Sequence, residues 1–180
     1  MASLPHDDMS LLVRALAFAA EKHRDQRRKD RVASPYINHP IALTNILLNE
    51  GGVGEVDVLC AALLHDTVED TETTPDELER HFGSRIRAIV LEVSDDRSLP
   101  KAERKQRQIE HASSISREAK LVKLADKISN VRDLVHSPPA DWTEERKREY
   151  FDWTKAVVDR LRGVHGGLEA TFDVAYARRP

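Results

Sequence analysis

The sequence predicts an all-α protein, a single domain of packed amphipathic helices, on three observations. Apolar residues recur at helical spacing along nearly the whole chain. Helix-start and helix-stop residues bracket those stretches, and none shows the strict alternation of a half-buried strand. Charged residues reach 33% beside 40% hydrophobic, which suits solvated helices around a modest apolar centre. The 180 residues suffice for one core.

Taken in order, the first helix is expected from about Ser10 to Gln26, with Leu12, Leu16, Ala19 and His23 on one stripe. Ser34-Pro35 interrupts helical backbone in the next segment. Pro40 favours a first helical turn, so a second helix starts there and stops at Gly51-Gly52, which puts His39 at a helix N-terminus. A third helix, about Glu55 to Glu69, is apolar nearly all round its middle and so reads as central and buried. Thr74-Pro75-Asp76-Glu77 is a capping box that opens a short helix closed by Gly83, with Arg85 to Val93 continuing helically. After a loop at 94–100 come a very polar helix to about Ala112 and a long one from Ser116 to Val135. Asp141 to Leu161 carries Tyr150, Trp153, Val157 and Leu161 on one stripe, and a last helix covers Leu168 to Ala177.

Composition excludes several classes. The single cysteine, Cys60, rules out an internal disulfide framework and sits in an apolar run, as a small buried hydrophobe would. The N-terminus lacks a basic start followed by an apolar stretch, and no apolar run approaches the ~18 residues of a membrane span. The expected location is therefore cytoplasmic, with no membrane partner. A net charge of −3, 5% aromatic residues and no extended basic stripe argue against nucleic acid as a partner. Charge is nonetheless uneven: Lys22, Arg24, Arg27, Arg28, Lys29 and Arg31 crowd one short segment. By itself that is a solvated helix end; beside an anion site it acquires a use.

The chemistry concentrates at His65-Asp66, the polar end of the most apolar helix. A buried charged pair is costly unless something pairs or coordinates it. If the helix continues, Glu69 stacks over His65 and Asp70 over Asp66, and one face presents an imidazole and three carboxylates. Carboxylates that close repel unless a cation intervenes. His39 and Asp126 are further candidate ligands, Asp126 because it interrupts the apolar stretch of a long helix. Two imidazoles and two carboxylates suit Mn²⁺, Fe²⁺ or Zn²⁺ better than Ca²⁺.

The order His39, His65-Asp66, Asp126 resembles the HD superfamily of metal phosphohydrolases. The strings Pro-Tyr-Ile-Asn-His-Pro at 35–40, Ala-Ala-Leu-Leu-His-Asp-Thr-Val-Glu-Asp-Thr at 61–71 and Lys-Leu-Ala-Asp-Lys at 123–127 resemble the hydrolase domain of RelA/SpoT-type alarmone enzymes. Gln-Arg-Arg-Lys-Asp at 26–30, Leu-Pro-Lys at 99–101 and Arg-Lys-Arg-Glu-Tyr-Phe at 146–151 are similar to its small alarmone hydrolase branch. The resemblance runs from about Leu11 to Gly163, so 1–180 is expected to be one HD-type domain with 164–180 as a C-terminal helix and tail.

That resemblance implies a compact HD-domain bundle and a role in the stringent response. It implies one Mn²⁺ per chain, held by His39, His65, Asp66 and Asp126, with Glu69 and Asp70 catalytic. It also implies substrate contacts from Arg28, Lys29, Tyr36, Lys101, Asn130, Arg146 and Tyr150. The implied reaction is hydrolysis of the 3′-pyrophosphate of (p)ppGpp, releasing pyrophosphate and leaving GDP or GTP. With few residues after the matched region, hydrolysis without synthesis is expected. The alternatives are removal of the 2′-phosphate of NADPH at the same basic pocket, and a nucleotide-binding protein with a dead site, against which the complete ligand set argues. The chain departs from its relatives at Arg97, where lysine is common, and at Ser129, where tyrosine is common; a guanidinium is not geometrically equivalent to an ammonium.

Overall fold

In a computed structural model that describes residues 6–180, the chain is mostly helical and carries no β-strand among those residues, only an isolated bridge between Arg27 and Pro35. The helices are α1 (His6–Lys22), α2 (Asn38–Asn45), α3 (Val56–Leu64), α4 (Thr67–Asp70), α5 (Pro75–Val93), α6 (Lys101–His111), α7 (Arg117–His136), α8 (Glu144–Asp159) and α9 (Gly166–Tyr176). A wider π turn, Ile46–Glu50, extends α2. No described helix is long and apolar enough to cross a membrane.

Local signals explain most of these boundaries. Asp7 and Asp8 in the first turn of α1 suit the positive end of the helix dipole, and that helix starts before Ser10 and ends before Gln26. Thr74 accepts the Glu77 N–H and Pro75 holds the first turn of α5. The two helical stretches expected on either side of Gly83 are both present and make up α5; they meet at that glycine, whose non-helical φ of 85° and ψ of 166° fit a residue without a Cβ. Ser116, Thr143 and His165 cap α7, α8 and α9 in the same way as Thr74.

One boundary differs in a way that matters. The third helix does not run on to Glu69: α3 stops at Leu64, His65 and Asp66 form a turn, and α4 restarts at Thr67. Asp66 has φ −99° and ψ −2°, and Thr67 donates its hydroxyl to the Leu64 carbonyl. The continuous face that would stack Glu69 over His65 is therefore absent. The apolar run up to Leu64 hides the break, because nothing in it signals a stop.

Around this turn the core is built. Every residue from Val58 to Leu64 is buried, and α3 packs against α1, α2, α5 and α7. α7 contributes Leu121, Val122, Leu124, Ala125, Ile128 and Val131 from almost all its faces. Burying each leucine or isoleucine contributes roughly 1.5–3 kcal/mol. The two helices that supply the most core residues thus fix, with little freedom, the polar groups they carry at His65, Asp66 and Asp126.

Candidate metal centre and nucleotide cavity

His39 lies in the first turn of α2, His65 at the end of α3 and Asp126 midway along α7, and their donor atoms lie within 4.8 Å of one another. The tautomers follow from the outer hydrogen bonds. His65 Nδ1 stands 2.9 Å from the Ala62 carbonyl, which only an N–H can satisfy, so Nε2 faces inward. His39 Nδ1 is 3.3 Å from Ser129 Oγ, and its Nε2 faces Asp126 Oδ1 at 3.2 Å. Ser129 thus occupies a position behind the ligand, touching its outer nitrogen.

Asp66 Oδ2 lies 2.9 Å from His65 Nε2, yet the angle does not make a hydrogen bond and that buried nitrogen is otherwise unpartnered. The Tyr36 hydroxyl donates to the same Asp66 oxygen. Asp126 is held from both sides, by Asn130 Nδ2 at 2.6 Å on Oδ1 and by Lys127 Nζ at 3.0 Å on Oδ2. Burial disfavours charge on Asp126, but the Lys127 ammonium outweighs it and keeps the carboxyl well below its usual range. Burial pushes His39 down, toward the neutral form that ligates metals. His65 is raised to about 9: burial opposes the imidazolium, but Asp66 and Asp126 overcome that cost. Inward-facing imidazole nitrogens and carboxylate oxygens, one nitrogen lacking a hydrogen-bond partner, are the donor set a divalent cation needs. The residues fit such an ion.

The pair Glu69 and Asp70 divides. Glu69 lines the cavity of about 160 Å³ at the centre; Asp70 does not. Glu69 Oε2 accepts the Asp95 N–H at 3.0 Å, and Oε1 lies 3.5 Å from Arg104 Nη1 and 3.9 Å from Arg97 Nε. Burial, with the Asp66 and Asp95 carboxylates, still raises Glu69 to about 7. Asp70 is raised too, by burial and then by Asp66, although Arg97 Nη2 stands 2.5 Å from its Oδ1.

A larger cavity of about 400 Å³ opens beside the centre, lined among others by Arg28, Lys29, Tyr36, Asn130, Trp142 and Tyr150. Arg28 pairs with Asp133 at 2.6 Å and approaches Asn130. Tyr150 packs against Trp142 and Trp153, with ring centroids at 5.5 and 5.3 Å, and burial pushes its phenol up to about 12. Arg146 is exposed and stacks its guanidinium on Trp142 at 4.5 Å. Lys101, the first residue of α6, is exposed and lines neither cavity. Of the expected residues, then, Arg28, Lys29, Tyr36, Asn130 and Tyr150 are gathered around one space, Arg146 reaches it through Trp142, and Lys101 stands apart.

Sequence reading missed Trp142, Arg104 and Lys127. Lys127 stands within a motif string beside Asp126 and was legible there. Trp142 follows a Pro-Pro loop, and Arg104 sits in a uniformly charged helix, so neither differs locally from a surface residue.

Residues 15–153 match the family model described as HD domain. The chain is 55% identical over 166 residues to the Guanosine-3′,5′-bis(diphosphate) 3′-pyrophosphohydrolase MESH1 of Xenopus tropicalis, covering 92% of this chain and 93% of that protein. The chain belongs to the HD domain family, in its MESH1 branch. The human MESH1 is 53% identical, with 93% of this chain and 94% of that protein covered. Among solved structures, one described as a metazoan ortholog of SpoT that hydrolyzes ppGpp and plays a role in starvation responses superposes with a TM-score of 0.93. It is 47% identical and covers 99% of this chain and 98% of its own. The all-α HD-domain architecture expected from the sequence is the one observed, and the His39, His65 and Asp126 cluster agrees with the divalent-metal character of that family.

Proposed function

We propose that this chain is a guanosine-3′,5′-bis(diphosphate) 3′-pyrophosphohydrolase that uses one Mn²⁺ and works in the cytoplasm. The observation that carries the reading is the meeting of His39, His65 and Asp126 beside a basic, aromatic cavity of nucleotide size, together with MESH1 relatives that bear this activity in their names. In this reading Asp66, whose Oδ2 lies 2.9 Å from His65 Nε2, would be the fourth ligand.

A divalent ion bound there lowers the pKa of water and offsets negative charge on phosphoryl oxygens. The side chains do the rest. Arg28 and Lys29 hold phosphates of the anionic nucleotide, while Tyr36 and Tyr150 border its base and ribose. Asn130 keeps Asp126 aimed by its hydrogen bond. Glu69, which faces the central cavity, takes the proton of the attacking water. Asp70, paired with Arg97 outside that cavity, serves as a positioning group. The water oxygen bonds to the phosphorus on the 3′ oxygen, the P–O3′ bond breaks with its electron pair going to O3′, which takes up a proton from solvent, and pyrophosphate leaves GDP or GTP behind.

The test is release of pyrophosphate and orthophosphate from a nucleotide panel with the divalent metal varied. Manganese-dependent pyrophosphate release from ppGpp and pppGpp is expected. Orthophosphate release from NADPH with no alarmone turnover would move the substrate assignment to the NADPH reading, and tight binding with no turnover at any metal concentration would leave a binding protein.

A further inference from the structure

A second cavity of about 340 Å³ lies between the C-terminal end of α5, the 94–100 loop and α6. It shares Asp95, Gln108 and Lys123 with the metal-centre cavity and no residue with the nucleotide cavity, which instead shares Arg28, Tyr36, His39 and Asn130 with the centre. The three spaces therefore form a row with the metal centre in the middle. A substrate whose nucleoside fills the first space and whose reacting phosphorus sits at the centre has one direction left for what hangs beyond that phosphorus.

Lys123 stands at the joint. Its residue is 7% exposed, its ammonium donates to the Val93 carbonyl at 3.3 Å, and among the described residues it has no ion-pair partner. An ammonium carries three donors, so two stay unused, and a buried cation with no carboxylate within ion-pair distance is costly. Nearby, Arg104 has its Nε buried and without a hydrogen-bond partner. Arg107, whose Nη2 also pairs with Glu103 at 2.9 Å, and His111 lie on the exposed rim of the same cavity. The carboxylates of the same wall are already engaged by neutral donors: Glu92 by Ser116, Asp95 by Gln108 and Asp96 by Ser98. Gln108 Oε1 is a buried acceptor without a partner on the same lining, but the unspent donors, on Lys123 and Arg104, are cationic and suit an anion.

We propose that this second cavity is a subsite for the distal phosphoryl group of pyrophosphate, with Lys123 as its floor and Arg104 and Arg107 as its wall. The proposal deepens the hydrolase reading above and rests on it for the identity of the pyrophosphate. It accounts for a preference that the metal centre alone does not supply. A monophosphate ester ends at the centre, whereas a pyrophosphoryl group reaches the ammonium beyond it.

The test is equilibrium binding of inorganic pyrophosphate and of orthophosphate by calorimetry, with Mn²⁺ held at one saturating concentration. The unmodified protein is compared with Lys123→Gln and with the rim double variant Arg107→Gln/His111→Gln, whose side chains are exposed or half-exposed. Pyrophosphate affinity is expected to fall by about tenfold in Lys123→Gln and severalfold in the double variant, the scale of lost charge-assisted hydrogen bonds, while orthophosphate affinity holds. Should Lys123→Gln fail to fold, the double variant decides. Pyrophosphate affinity unchanged in both variants, or orthophosphate losing as much as pyrophosphate, overturns the subsite. Alarmone turnover is assayed alongside; its absence with the pyrophosphate preference intact removes the hydrolase reading and leaves the subsite standing.

Discussion

Lys123 shows how a single side chain trades stability for a site. Burial, and then the nearby Lys127 charge, lowers its pKa from the usual 10.5 to about 8. In the interval between those values the unfolded chain binds more protons than the folded one, so stability rises with pH from about 8 toward 10.5. At neutral pH the charged form is the one penalised. Lys123→Met is therefore expected to stabilise the protein at pH 7 by about 1–3 kcal/mol and to flatten that alkaline slope. Urea midpoints at neutral and alkaline pH check both; a variant less stable than its parent at pH 7 contradicts the reading. His39 presents the opposite case, a buried imidazole kept neutral for a task. His39→Ala is expected to abolish turnover by at least about a hundredfold while leaving the fold intact, and full activity in a metal-replete assay would remove it from the ligand set.

Helix by helix, much of the molecule is written locally. The Thr74 cap, a helix start within two residues of Pro40, the glycine near the middle of α5 and the apolar surface of α7 are all readable because each signal acts within a few residues. Gly83 lies at a φ and ψ that a Cβ disfavours. Gly83→Ala is expected to lower stability by about 1–3 kcal/mol without moving the metal centre; thermal unfolding measures the loss, and an unchanged midpoint would mean the kink relaxes freely. The turn between α3 and α4 was not legible. His65 and Asp66 extend an apolar run that suits a longer helix, and only packing against α2 and α7 makes the turn worthwhile. The same holds for the guanidinium groups on Glu69 and Asp70. Arg97 and Arg104 reach those carboxylates from a loop and a helix far along the chain, and no local pattern records a contact made at that sequence distance. The three candidate donors that the structure brings together, His39, His65 and Asp126, stood out in the sequence because their residue types are anomalous in apolar surroundings.

At the scale of the whole molecule, the centre ties three elements together. α2, the end of α3 and α7 each deliver one inward-facing donor, so an ion bound there links parts of the chain that are otherwise joined mainly by apolar packing. Such an ion stabilises the folded state in proportion to its occupancy: at a free concentration a hundred times its dissociation constant the gain is about 2.7 kcal/mol. Adding Mn²⁺ is expected to raise the midpoint of thermal unfolding and a chelator to lower it. Because His65 is protonated below about 9 through its pairing with Asp66, loading near neutral pH also expels about one proton. Calorimetry in buffers of different ionisation enthalpy reads this directly, and heats identical in every buffer would contradict it.

Manganese content after equilibration at a fixed free concentration tests the central claim most directly. The unmodified chain is expected to retain about one ion per molecule and Asp126→Ala essentially none. An Asp126→Ala protein that folds and still retains its full complement would contradict the account.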